Sequence, residues 1–154
     1  MKNLPLTAPD ILSNTEKVVV MTPSHKLDVL IVDDDAGIRD VLKGFLESRN
    51  CVVRQASSGS EALDELNRST PDLVFLDIYM PEMDGLQLMR IIKRLWPQLK
   101  VIAMSGYATE NVAREIIDLG AGDFLTKPIE LDQLDDLLPL VHTVAQDCST
   151  APDE

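Results

Sequence analysis

Between residues 27 and about 145, short apolar runs alternate five times with longer stretches whose apolar residues recur every three or four positions. The runs are short and rich in β-branched residues, which marks them as strands, and the stripes mark amphipathic helices. Strand and helix in repeated alternation lead to a parallel sheet with crossover helices packed on its two faces. The chain is therefore expected to be an α/β domain with a doubly wound, five-stranded parallel sheet and five helices. Of the two common doubly wound strand orders, 2-1-3-4-5 suits this strand count, and its switch point falls between strands one and three.

The first run, Leu27 to Val32, leads into Asp33, Asp34 and Asp35. A stripe at Ile38, Val41, Leu42, Phe45 and Leu46 follows, with Asn50 at its end. Cys51 to Ala56 is less apolar and belongs nearer a sheet edge. Ser58 and Glu61 have capping-box spacing ahead of Ala62, Leu63 and Leu66. Leu73 to Leu76, between Pro71 and Pro81, has the texture of a strand covered on both faces and delivers Asp77 at its carboxyl end. Asp84-Gly85 then opens a helix with Leu86, Met89, Ile92 and Leu95 on one face, closed by Trp96-Pro97. Lys100 to Met104 ends at Ser105, and a helix from Thr109 to Leu119 carries Val112, Ala113, Ile116 and Ile117, with Gly120 after it. Asp123 to Thr126 runs into Lys127-Pro128, and Leu131, Leu134, Leu137, Leu138 and Val141 mark the last helix. Pro139 should kink or end that helix, since proline removes a donor and clashes with the preceding turn.

Residues 1–26 read as a flexible extension or a docking segment, with Met21 a candidate internal start, and residues 146–154 as a loose acidic tail. The formal net charge of −12 would repel a phosphate backbone, which argues against nucleic-acid binding. The apolar runs fall short of a membrane span and no signal peptide is evident. Cys51 and Cys148 suit neither a disulfide framework nor a metal motif, so a soluble, cytoplasmic protein is expected. His25 and His142 lack ligand partners at useful spacing and read as surface histidines.

The polar residues at the strand ends form a set. Asp33 and Asp34 after strand one and Asp77 after strand three meet at the switch point, although more than forty residues separate them. Three crowded carboxylates repel unless compensated, and a hard divalent cation such as Mg²⁺ suits them while leaving positions for phosphate oxygens. Strand four adds the hydroxyl of Ser105 and strand five the ammonium of Lys127. Together these groups suit a phosphoryl group carried on a carboxylate.

The motifs Ile31-Val32-Asp33-Asp34-Asp35, Asp77-Ile78-Tyr79-Met80-Pro81, Met104-Ser105-Gly106-Tyr107-Ala108 and Lys127-Pro128, with Asp84-Gly85 between them, closely resemble the receiver domain of two-component response regulators. The resemblance covers residues 27–145 and implies a flavodoxin-like fold. It implies that Asp77 is the phosphoacceptor, that Asp33, Asp34, Asp77 and the backbone carbonyl of Tyr79 hold Mg²⁺, and that Ser105 and Lys127 contact the phosphoryl oxygens. It further implies a cis bond between Lys127 and Pro128, and a switch in which Ser105 moves toward the phosphate while Phe124 turns inward. Tyr79 and Tyr107 occupy the positions that influence hydrolysis in this family, and as aromatics they are expected to lengthen the phosphoryl lifetime.

The expected function is a phosphorylation-dependent switch that takes its phosphoryl group from a histidine kinase and changes its binding to a downstream protein. It is not expected to turn over an external substrate. The chain stops soon after the fifth helix, so a stand-alone receiver is expected, with a homodimer through helix four, strand five and helix five as one option. Two alternatives stay open: a relay intermediate serving a histidine phosphotransfer protein, and a Mg²⁺-dependent aspartate-nucleophile phosphatase of the haloacid dehalogenase type. The latter usually has a second Asp two residues after the first, where this chain has Tyr79.

Overall fold

The five apolar runs form five strands, β1 (Leu27–Val32), β2 (Cys51–Ala56), β3 (Leu73–Asp77), β4 (Lys100–Ser105) and β5 (Asp123–Thr126). In the computed structural model, which describes residues 26–81, 84–107 and 109–138, they pair in parallel in the order β2-β1-β3-β4-β5. Helices α1 (Ala36–Ser48), α2 (Gly59–Arg68), α3 (Gly85–Leu95) and α4 (Glu110–Asp118) follow the first four strands. A fifth helix, α5, covers 131–138. Strand order and helix count are those expected from the alternation of runs and stripes.

Alternating strand residues point to opposite faces, and each face is covered. Leu30, Val32, Val74 and Leu76 pack with Ala62 and Leu66 of α2, Leu88, Met89 and Ile92 of α3 and Ile116 of α4. Val29, Ile31, Phe75, Ile102 and Met104 pack with Leu42 and Leu46 of α1 and Leu134 and Leu138 of α5. All five residues of β3 are buried, as a central strand between two helical layers requires.

Three expectations about helix faces need correction. Leu95 is 58% exposed, and the buried face of α3 is formed by Leu88, Met89 and Ile92 instead. Spacing by threes falls back about 60° per step on a helix of 3.6 residues per turn, so Leu95 ends on the far side from Leu86. Val41 is 59% exposed at the margin of its stripe, where it borders an apolar groove with Ile38, Pro128, Ile129 and Leu131. On α4 only Ile116 is buried, and Ile117 faces out.

The helix ends follow the sequence closely. Asp35, Ser58, Asp84 and Thr109 cap α1 to α4, each accepting a backbone N–H in the first turn. The capping box is displaced: Glu61 Oε1 accepts from the backbone N–H of Ser57 at 2.6 Å and from its hydroxyl at 2.9 Å, one residue before the cap. Asn50 and Gly120 leave their helices with φ of 69° and 110°, the left-handed turn expected of these residue types. Trp96 caps the C-terminus of α3 and packs against the core. Asp135 takes a two-pronged pair from Arg49 at 2.7 and 2.8 Å, tying the end of α1 to α5. Pro139, Val141, His142, Cys148, Met21 and His25 lie outside the described residues.

Candidate functional site

The carboxyl ends of the strands are level with one another: Val32 pairs with Leu76, Asp77 with Met104, and Ser105 with Thr126. The residue at or just beyond each end therefore reaches the same rim. Asp33, Asp77 and Ser105 are the buried polar residues there, at 0%, 3% and 0% exposure. Such groups stay in place only when paired.

Lys127 provides much of that pairing. Its Nζ donates to Asp33 Oδ2 at 2.8 Å and lies 3.3 Å from Asp77 Oδ2. The other oxygens are held by the backbone, with Asp35 N–H donating to Asp33 Oδ1 at 2.9 Å and Tyr79 N–H to Asp77 Oδ1 at 3.1 Å. The Lys127–Pro128 bond is cis, as expected. Lys127 N–H donates to Ser105 O at 2.9 Å, which joins the end of β4 to the turn carrying the lysine.

Burial and the neighbouring Asp33 charge push the Asp77 carboxyl up to about 6, against the opposing pull of Lys127 and the Tyr79 N–H. Burial alone would lower Lys127, but its hydrogen bond to Asp33 and the charges of Asp33 and Asp77 carry it above the ordinary lysine value. One ammonium thus serves two buried carboxylates, with exposed Asp34 beside them. Asp33, Asp34 and Asp77 can bring one oxygen each within 4.8 Å of one another. This surplus of hard oxygen donors over positive charge suits a divalent cation.

A cleft lined by Asp34, Ile78, Tyr79, Met80, Pro81 and Asp84 opens beside these carboxylates. Next to the lining residue Asp84 is Gly85, where a Cβ would lie 2.4 Å from Ile78 Cα and 2.5 Å from Ile78 O. Only glycine lets α3 start so close to the exit of β3, and Gly85 N–H uses that proximity to donate to Ile78 O at 2.8 Å. At the mouth, the Tyr79 and Tyr107 rings meet edge to face with centroids 5.4 Å apart. Ser105 Oγ accepts from Tyr107 N–H at 2.9 Å, and Phe124 is half-buried against the core.

The model of the response regulator receiver domain matches residues 29–138. The chain belongs to the receiver domain family. It is 37% identical over 129 residues to an uncharacterized 14.6 kDa protein of Leptolyngbya boryana, an alignment covering 82% of this chain and 94% of that one. It is 36% identical over 126 residues to the transcriptional regulatory protein ZraR of Escherichia coli K12, with 80% of this chain but 29% of ZraR covered. The crystal structure of the receiver domain of NtrX from Brucella abortus superposes with a TM-score of 0.70 at 37% identity, covering 74% of this chain and 97% of that one. The chain thus spans under a third of ZraR and 29% of a longer NtrX chain from Brucella abortus, and nearly all of the Leptolyngbya boryana protein.

As a receiver of a two-component response regulator, the protein belongs to phosphorylation-dependent signalling, in a family whose partners are generally histidine kinases. All the strand-end residues singled out from sequence converge in this receiver's rim. Two features escaped that reading. Asp35 caps α1, a role masked by its place in a run of three aspartates. Arg39 Nη1 donates to Asp33 O at 2.7 Å, and no apolar period or motif in the sequence marks it. Among the described residues, no helix is long and apolar enough to cross a membrane.

Proposed function

We propose that this receiver is a phosphorylation-dependent switch in which Asp77 accepts a phosphoryl group. The observation that carries this reading is the sharing of the Lys127 ammonium between Asp33 and Asp77 at the end of the central strand. It leaves Asp77 buried and oriented, with a cation beside the oxygen that would attack. Asp33, Asp34, Asp77 and the Tyr79 carbonyl would hold Mg²⁺, which when bound would offset charge on the transferring oxygens.

In this mechanism Asp77 Oδ attacks phosphorus in line, either in a phosphohistidine of a partner kinase or in a small acyl phosphate. The new O–P bond forms as the donor's N–P or O–P bond breaks, and the bonding pair leaves with the imidazole or carboxylate. Lys127 then pairs with a phosphoryl oxygen, and the Ser105 hydroxyl donates to another. To do so Ser105 turns from its contact with Tyr107 N–H, and Phe124 follows inward through packing alone, having no hydroxyl. The altered surface of α4, β5 and α5 would then favour a downstream protein partner or a second copy of the chain.

The protein is read as a cytoplasmic switch, not an enzyme acting on an external substrate. A relay to a histidine phosphotransfer protein would use the same chemistry in reverse. Borohydride trapping tests the assignment: after treatment with acetyl phosphate and Mg²⁺, reduction should modify the peptide containing residue 77. A modification found elsewhere, or none, would contradict it.

A further inference from the structure

We propose that Arg39 is a positioning residue for the cation site, locking Asp33 through its backbone instead of its carboxylate. The inference rests on the assignment of Asp33 as a metal ligand above. Arg39 Nη1 donates to Asp33 O at 2.7 Å, and its Nε donates to Gln55 Oε1 at 3.1 Å. Gln55 stands on β2 in register with Ile31 of β1, so the guanidinium joins α1, the edge strand and the turn leaving β1. A charge-assisted hydrogen bond of this length is among the stronger ones available to a carbonyl.

The bond completes the fixation of one residue. Asp33 N–H donates to Ala56 O at 3.1 Å, Oδ1 accepts from Asp35 N–H and Oδ2 from Lys127. The carbonyl is the remaining polar group, and Arg39 takes it. Lys127 and Asp35 hold the carboxylate, whereas Arg39 and Ala56 hold the peptide groups on either side of its Cα. With both peptide planes pinned, the carboxylate oxygens have little freedom to swing, and the turn carrying Asp34 inherits the same restraint.

Charge and position make opposite predictions here. If Arg39 acted only as a positive charge near an acidic site, removing it would tighten binding of a divalent cation. As a positioning residue its removal weakens binding. Gln55→Met separates the effects further, because it frees the guanidinium without altering charge.

The test is Mn²⁺ binding to the full chain, read from the free-ion paramagnetic resonance signal, with circular dichroism as the check on folding. Arg39→Met should weaken binding about tenfold, the scale of lost outer contacts in metal sites. Gln55→Met should weaken it less, and Arg39→Lys should recover part of the loss. Should Arg39→Met not fold, Gln55→Met decides. Affinity equal to or tighter than the parent's in the folded variants would overturn the proposal while leaving the metal site intact. A parent chain that takes up no Mn²⁺ would overturn the metal site and this inference together.

Discussion

Lys127 places its ammonium 2.8 Å from the carboxylate of Asp33, ninety-four residues away along the chain. The same nitrogen lies 3.3 Å from Asp77, so one side chain offsets two buried negative charges. Lys127→Met keeps the length of the stem and removes the charge. The variant should be less stable than the parent without metal by roughly 1–4 kcal/mol, because a buried carboxylate loses its partner. Urea unfolding in EDTA measures this, and phosphorylation from acetyl phosphate should fall sharply in the same variant.

The raised Asp77 carboxyl has a defined consequence for stability. A carboxyl that titrates near 6 when folded, against 3.8 ordinarily, binds its proton more tightly in the folded state. The stability it contributes is present below about pH 4 and is lost as pH rises through 6. Asp77→Asn removes that loss. Without metal it should exceed the parent by on the order of 1–3 kcal/mol at pH 7.5, and the gap should close near pH 4. Unfolding curves across this range in EDTA provide the measurement, and a gap independent of pH would be the contrary result.

Tyr79 and Tyr107 bring their rings together across the site mouth, 5.4 Å between centroids and 85° between planes. Both rings are exposed, Tyr79 at 44% and Tyr107 at 72%, and they are expected to hinder water approaching a phosphoryl group on Asp77. Tyr79→Asn and Tyr107→Glu should each shorten the phosphoryl lifetime several-fold. The double variant should show less than the product of the two effects, since losing either ring already breaks the contact. Lifetimes matching the parent's would argue that the rings have no part in hydrolysis.

An added Cβ at Gly85 would meet backbone atoms of Ile78 and Asp77 instead of a flexible side chain. Gly85→Ala would drive a methyl group into Ile78 Cα and O, so α3 must move away from the end of β3. A cost of about 1–3 kcal/mol is expected from forced backbone shifts. Because Asp77 precedes Ile78, this variant should also weaken Mn²⁺ binding. Thermal melts and metal titration can be made on one preparation.

The sheet order, the level rim and the convergence of Asp33, Asp77, Ser105 and Lys127 were legible in the sequence. They follow from two strong regularities, the alternation of strand and helix and the placement of polar residues at strand ends. Legibility failed where side chains choose between neighbours. Leu95 and Val41 look apolar in a periodic window, but a helix face is set by rotation about its axis and by what lies opposite. Glu61 found Ser57 one residue from the expected partner, and Asp135 found Arg49 from a helix far away in sequence. Arg39 is the instructive case. Its acceptor is a backbone carbonyl, and every residue has one, so no residue type in the sequence announces the contact.

The central claim is that Asp77 carries the phosphoryl group, and intact-mass measurement tests it most directly. Incubation with acetyl phosphate and Mg²⁺ should add the mass of one phosphoryl group to the parent chain and none to Asp77→Asn. Folded parent that gains no mass, or an Asp77→Asn variant that gains as much as the parent, would contradict the account.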